Sequence, residues 1–274
     1  MKTLSRLLTY SYSTPVVLLF FAVFFSVAIT VFAITAKTTI LFYSSETTIN
    51  NYKSLKIEFD RYLGKFGPYA IQPFSDRETF EKYIKDKKEC LLLMSSWHYR
   101  KIYKDFSLKA ALTGTRNGEK YQKRILIAKD TSVKSGLIAS ASSIQHTRNY
   151  LNSMLQGKVK IDTTKILTVP KDIDALMSVG FGMADLALTT RRAFEELKAV
   201  NPNLHQRMKI IVEGERTLSL ILAVHENLSE DADKMLSVIQ NMSTDPAGKE
   251  KIRMLGLDDW QVLDPSDRLR LEAK

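Results

Sequence analysis

Residues 164–191 read TKILTVPKDIDALMSVGFGMADLALTTR and hold a strand, a helix and a second strand in a short space. Ile166–Val169 is an apolar run closed by Pro170, long enough for one buried strand. Asp172 stands where a helix cap is needed, and Ile173, Leu176, Met177 and Val179 return at helical spacing. Gly180 and Gly182 stop that helix, and Ala184–Leu188 is a second apolar run interrupted only by Asp185, which reads as structural. Elements this closely spaced predict a right-handed parallel crossover.

Upstream, the same alternation recurs. Thr39–Tyr43 predicts a strand, and Tyr52, Leu55, Phe59, Tyr62 and Phe66 form the apolar face of a helix ended by Gly67-Pro68. Ala70–Phe74 is a second strand, and Ser75 with Glu78 has the capping-box spacing ahead of Phe80, Tyr83 and Ile84. Leu91–Met94 is a third strand, followed by a helix carrying Trp97, Ile102 and Phe106. Thr113–Gln122 is polar and glycine-containing, and reads as a turn or linker. Further strands are expected at Arg124–Ala128, Leu137–Ala141, Lys209–Val212 and Leu218–Val224. Further helices are expected from Ser142 to about Gln156, over Asn227–Met242 behind a Ser229 cap, and over Pro246–Leu255. The charged tail from Asp264 is expected to fray. The class is α/β.

At the N-terminus, Pro15–Ala36 carries no charge and is long enough to span a bilayer as a helix. Lys2 and Arg6 precede it and no acid occurs before Glu46, so the positive-inside bias keeps residues 1–14 in the cytoplasm and exports everything after residue 36. A cleaved signal peptide is the alternative, since Val31-Phe32-Ala33 and Ile34-Thr35-Ala36 resemble small-residue cleavage sites. The apolar run exceeds the usual signal core, which favours an uncleaved single-pass anchor in the inner membrane. Of 40 Lys and Arg residues only Lys2 and Arg6 lie in this segment, so 38 stand against 30 Asp and Glu beyond it, a net charge of +8. That charge is spread along the chain and suits an anionic ligand or a membrane surface as well as nucleic acid. One cysteine, Cys90, permits no internal disulfide and fits no metal cluster.

Hydroxyl pairs recur at strand ends: Ser44-Ser45, Ser95-Ser96, Ser142-Ser143 and Thr189-Thr190. In open α/β sheets, ligands bind beyond the carboxyl ends of strands, where helix N-termini turn free N–H groups inward. Such hydroxyls and amides suit an oxyanion, although Ser and Thr also cap their own helices. His146 and Thr147 lie in the first turn after Ser142-Ser143, where a His either bonds an anion or sits on the surface. Trp97, His98 and Tyr99 either wall a pocket or pack in the core, and Arg191-Arg192 either meets an anion or faces solvent. A G-x-S-x-G elbow is absent, and Ser143 and His146 share one turn, which argues against nucleophilic catalysis. Neither a P-loop nor a G-x-G-x-x-G turn occurs, and no cofactor or metal is expected.

The run VPKDIDALMSVGFGMADLALTT resembles the glycine–aspartate segment of phosphonate-type periplasmic binding proteins, the type II solute-binding proteins of ABC transporters. KRILIAKDTSVKSGLIASASSIQHT, VNPNLHQRMKIIVEGE and LSEDADKMLSVIQNMSTDPAGKEKIRMLGLDDW agree in order, so the resemblance covers most of residues 37–260. It implies two lobes, each a mostly parallel mixed sheet with flanking helices: residues 37–119 with 226–274, and residues 120–225. The crossing strands would be Arg124–Ala128 and Leu218–Val224. Ser142, Ser143 and Thr147 match the family's anion-holding loop, and Tyr43–Ser45, Ser95–Trp97 and Thr189-Thr190 match its other strand-end contacts. The segment before the serine loop is shortened to VKSG, and Lys88-Glu89-Cys90 departs from the acidic pattern ahead of the third strand.

The expected function is capture of a small oxyanion, phosphate- or phosphonate-like, by a tethered extracytoplasmic binding protein for an ABC permease, without catalysis or nucleic acid. The candidate ligand contacts are Tyr43, Ser44, Ser45, Ser95, Ser96, Trp97, Ser142, Ser143, His146, Thr147, Thr189 and Thr190. The alternative is a tethered sensor or accessory subunit with a degenerate site, contacting a membrane partner.

Overall fold

A computed structural model describes residues 37–273, apart from 48, 50, 88, 134, 157–160 and 164. The anchor expected at 15–36 lies outside the described residues, and among those described no helix is long and apolar enough to cross a membrane. The first part of the chain runs β1 (Thr38–Tyr43), α1 (Tyr52–Leu63), β2 (Tyr69–Pro73), α2 (Arg77–Ile84), β3 (Cys90–Ser95), α3 (Ser96–Ile102) and β4 (Leu108–Thr115). The middle runs β5 (Tyr121–Ala128), β6 (Ile138–Ser140), α4 (Ile144–Leu155), β7 (Ile166–Thr168), α5 (Asp172–Gly180), β8 (Leu186–Thr190), α6 (Arg191–Val200), α7 (Pro202–Arg207) and β9 (Lys209–Leu218). The chain ends with β10 (Leu220–His225), α8 (Glu230–Gln240), α9 (Pro246–Met254), β11 (Asp259–Val262) and α10 (Pro265–Glu272).

These strands form two sheets, one six-stranded in the order β11-β4-β10-β3-β1-β2 and one five-stranded in the order β7-β6-β8-β5-β9. Both are flanked by helices, an arrangement consistent with a two-lobed α/β fold. Alternate side chains enter cores on opposite faces: Ile40 and Phe42 one way, Leu41 and Tyr43 the other, with Ile125/Ile127 and Leu126/Ala128 doing the same in the second sheet. Burial on both faces explains why these strands read as continuous apolar runs rather than alternating ones.

Both sheets are mixed rather than mostly parallel. β1 pairs in parallel with β2 and β3, whereas β10 is antiparallel to β3 and β4, and β11 to β4. In the second sheet β6 runs parallel to β7 and β8, while β5 is antiparallel to β8 and β9. The β7–α5–β8 unit is therefore a parallel crossover, but β6 lies between its two strands.

Several expectations need correction. β4 replaces the start of the expected linker; its sequence, LKAALTGT, hides a strand behind alanines and a glycine. Gly114 lets Leu257 pack against the strand: an added Cβ would sit 2.4 Å from a Leu257 methyl and displace that side chain. β11, also unforeseen, edges the same sheet. The tail does not fray: α10 buries Leu271, and Asp267 accepts from Lys120 and Tyr121. Asp76, not Ser75, caps α2. The chain passes between the sheets at residues 116–120 and at Ser219, whose N–H donates to Lys120 O at 3.0 Å, so Arg124–Ala128 is an interior strand of the second sheet. Leu220–His225, expected with the second lobe, pairs in the first sheet.

The turn into β6 depends on Gly136, whose φ is +145° and whose Cβ position lies 2.3 Å from Asp185 Oδ2. That oxygen accepts from Leu137 N at 2.8 Å, so Asp185 is structural in the described fold. Replacing Gly136 by Ala should lower unfolding free energy by about 1–3 kcal/mol for the backbone alone. The measurement is a reduced urea midpoint at an unchanged slope.

Candidate functional site

Strand ends from both sheets meet around Arg124, a large side chain that is 2 % exposed. Arg124 sits at the middle of β5, where the polar YQK start gives way to ILIA, so the strand alternation carries its guanidinium inward. Nη1 donates to Ser142 Oγ at 3.0 Å, and Nη2 donates to Glu46 Oε1 at 3.1 Å. The other Glu46 oxygen accepts from Gln122 Nε2 at 2.6 Å. Glu46 belongs to the loop after β1, so this ion pair joins the two sheets. Below it, the guanidinium lies 6.0 Å from the centre of the Tyr150 ring.

The loop carrying Glu46 is held by its own hydroxyls. Ser44 Oγ accepts from Glu46 N at 3.1 Å and shares a hydrogen bond with Ser95 Oγ at 2.9 Å. Ser45 Oγ accepts from the Trp97 indole at 3.2 Å, and Ser45 O accepts from Asp172 N at 2.9 Å. Ser96 is buried, its N–H donating to Ser219 O at 3.2 Å. Tyr43 Oη donates to Pro170 O at 3.4 Å, a further link between the sheets. Trp97 stacks on His98 at 5.1 Å and meets His146 at 5.2 Å, so one aromatic row runs from α3 to α4.

On the second-sheet side, Ser143 Oγ accepts from His146 N at 3.3 Å and caps α4. Thr190 Oγ1 accepts from Ala193 N at 3.1 Å and caps α6. For these two the capping role left open by the sequence is observed. Thr147 Oγ1 donates to Ser140 Oγ at 2.9 Å, and Thr189 Oγ1 donates to Asp172 O at 3.1 Å. Asp172 does not cap α5: Lys171 is the N-cap, and its N–H donates to Asp174 Oδ2 at 3.0 Å. The Asp172 carboxylate is instead buried, with Oδ2 accepting from Thr190 N at 3.2 Å and Oδ1 lacking a partner among the described residues.

Ser44, Ser45, Ser95, Ser142, Thr189 and Thr190 are thereby brought to one inter-sheet zone, with Tyr43, Trp97 and His146 at its aromatic edge. Glu46, Gln122, Arg124 and Asp172 were not among the expected contacts. Arg191 and Arg192 pair with Glu213 and Glu196, rather than facing solvent alone. A cavity of about 10 Å³, close to the volume one water needs, lies against Glu46, Gln122 and Arg192.

Burial dominates the local acid–base chemistry. It raises the Asp172 carboxyl to about 7, opposed by Arg124 and reinforced by Glu46. Burial also lowers His146 to about 3, with Arg124 adding to the effect, so His146 is neutral at physiological pH. Around Arg124, burial works against the charge but Asp172 and Glu46 outweigh it and raise the guanidinium.

Unfolded Asp172 ionises near its ordinary 3.8, whereas the folded chain keeps its proton until about 7. Between those values the folded state binds more protons, so this group's contribution to stability falls as pH rises and is lowest above about pH 7. His146 acts oppositely, because the unfolded state takes the proton first, near 6.5. Asp172→Asn keeps an acceptor for Thr190 N and isolates the first effect. Its unfolding free energy relative to wild type should climb from about pH 4 to about pH 7 and then level off, as read from urea titrations. A flat difference would mean that Asp172 ionises normally.

A profile of the family described as "ABC transporter, phosphonate, periplasmic substrate-binding protein" matches residues 38–268. No curated protein matches in sequence. Among solved structures, a binding-protein component of an ABC phosphonate transporter from Pseudomonas aeruginosa is similar at 15 % identity and a TM-score of 0.65, covering 86 % of this chain and 85 % of its own. A Xanthomonas citri protein bound to chloride ion gives 12 % identity and 0.67, with 86 % and 94 % coverage. A Prochlorococcus marinus protein in complex with methylphosphonate gives 12 % and 0.62, with 86 % and 95 % coverage. At these identities the structural likeness establishes the fold. The profile match over nearly the whole described chain establishes membership: this protein belongs to the family of periplasmic substrate-binding proteins of ABC phosphonate transporters.

Proposed function

We propose that this protein is a membrane-tethered, extracytoplasmic solute-binding protein that captures a small oxyanion of the phosphate or phosphonate class for an ABC permease, without catalysis. The observation that carries the reading is the Arg124 guanidinium, buried between the sheets beside Ser142 and the start of α4. Guanidinium N–H groups and hydroxyls match the lone pairs of an oxyanion, and a helix start adds favourable dipole. Ser142, Ser143 and Thr147 belong to this seat, and Ser44, Ser45, Ser95, Ser96, Thr189 and Thr190 to the facing strand ends. Tyr43, Trp97 and His146 wall it. The tether is the uncharged run Pro15–Ala36 behind Lys2 and Arg6, which places residues 1–14 in the cytoplasm and the body in the periplasm.

A second reading is favoured by one specific contact. Glu46 already occupies the Arg124 guanidinium and ties the sheets together, as expected of an accessory or sensor subunit that closes without solute.

Calorimetry on the purified body against phosphate, phosphite, methylphosphonate and alkyl sulfonates tests the first reading. A bound anion at 100 times its Kd should raise unfolding free energy by about 2.7 kcal/mol. Arg124→Lys, which keeps charge but loses the fork, should weaken binding at least about tenfold. If none of these anions produces heat or stabilisation, the oxyanion reading falls and the accessory reading stands. Crosslinking in intact membranes should then recover a partner other than a permease.

A further inference from the structure

We infer that Glu46 is an internal ligand of the Arg124 seat, so that an external oxyanion enters only by displacing this carboxylate, and Glu46 sets both the affinity and the class of anion accepted. This rests on the reading of the seat as an oxyanion site and adds a determinant to it. The asymmetry of the contacts carries the argument. Every donor at the seat comes from the second sheet's half: Arg124 Nη2 to Glu46 Oε1 at 3.1 Å and Gln122 Nε2 to Glu46 Oε2 at 2.6 Å, with Ser142 Oγ fixed by Arg124 Nη1 at 3.0 Å. The carboxylate is the lone acceptor supplied by the opposite half among these contacts. It arrives on a short loop whose conformation is set by Ser44 Oγ accepting from Glu46 N at 3.1 Å.

Host and guest are therefore arranged as in a bound complex, except that the guest is covalently part of the chain. A short tether gives such a guest a high effective concentration, which any diffusing anion must overcome. Glu46 is 7 % exposed and Arg124 2 %, so the pair is desolvated, and neither charge tolerates loss of the other without a replacement. An anion that leaves Glu46 in place would add negative charge beside the Glu46 carboxylate, and beside Asp172 as well once that group ionises. Displacement is thus the electrostatically permitted route. The displacing group must offer two oxygens spaced to bridge Arg124 and Gln122, and a third oxygen can accept from the Ser142 hydroxyl, whose proton Arg124 does not use. Tetrahedral oxyanions have that third oxygen and simple carboxylates do not.

The test compares wild type with Glu46→Gln and Glu46→Asp for binding of inorganic phosphate, methylphosphonate and acetate by calorimetry, with melting curves alongside. If Glu46 fills the seat 90–99 % of the time, removing its charge should tighten phosphate and methylphosphonate binding by about 10- to 100-fold, and acetate by less. Glu46→Asp, which withdraws the carboxylate by one methylene, should fall between. Without anion Glu46→Gln should melt below wild type, and phosphate should recover more of its melting temperature than it adds to wild type. Arg124→Lys combined with Glu46→Gln should lose the gain. Weak binding by wild type with tight binding by Glu46→Gln would support the inference in its strongest form. Equal or weaker binding by both variants, with wild type binding, would overturn the internal-ligand role and leave the oxyanion reading intact. No binding by any of the three proteins would overturn both.

Discussion

The Arg124–Glu46 pair is the constraint around which the inter-sheet region is arranged. Two opposite charges from different sheets lie in low dielectric, where their attraction is strong but the loss of water is expensive. Such pairs persist when the remaining lone pairs and protons are satisfied. Here Gln122 takes the second carboxylate oxygen and Ser142 takes the second guanidinium arm. Removing either charge leaves the other uncompensated, at a cost of about 3–5 kcal/mol in comparable buried pairs. The geometry of the loop after β1, the direction of β5 and the entry to α4 all have to agree for this arrangement to form.

Neighbouring contacts follow from that agreement. Glu46 is placed by Ser44, which is held by Ser95 at the end of β3, so the first-sheet strand ends are locked together by hydroxyls. One residue along, Ser45 O receives Asp172 N, bringing the start of α5 against the same loop. Asp172 then anchors the end of β8, its carboxyl accepting from Thr190 N and its backbone carbonyl from the Thr189 hydroxyl, so one residue ties together the β1 loop, the start of α5 and the end of β8. Its carboxyl rises to about 7 because only some of its lone pairs are met and burial dominates. The aromatic row of His98, Trp97 and His146 seals the edge, and burial keeps His146 neutral there.

Much of this architecture was legible in the sequence because buried strands write themselves as apolar runs: TILFY, LLLM and RILIA each fell within a strand at the expected place. β4 was not, since its alanines give no β-branched signature and Gly114 is small to fit against Leu257. The polar start of α10 read as solvent-exposed, because the burial of Asp267 depends on Lys120 and Tyr121, 147 and 146 residues away in sequence. The site divides the same way. Serine and threonine pairs after strands are a local signal, and Ser44, Ser95 and Ser142 did come together with Arg124 and Glu46. The charged members were missed because a lone Arg at the head of a strand and a lone Glu in a loop look like ordinary surface residues. Only tertiary pairing distinguishes them.

Family membership fixes the scaffold more firmly than the ligand, and the physical reason lies in how charge is distributed over the cleft. Hydroxyls and helix starts favour anions of many kinds, and they recur wherever strands end beneath helices. Among the described residues of the inter-sheet zone, the buried charged groups are one guanidinium, Arg124, and two carboxyls, Glu46 and Asp172. With Asp172 protonated the balance is neutral; with it ionised the balance is negative. A cleft built this way does not draw in an anion by net charge, unlike a site with an unpaired arginine. On the proposed oxyanion reading, its specificity would rest on whether an incoming group can meet the donors of Arg124, Gln122 and Ser142 better than Glu46 does. Such a competition would be decided by geometry and desolvation at those three side chains, with Ser44 and Ser95 holding the Glu46 loop in place.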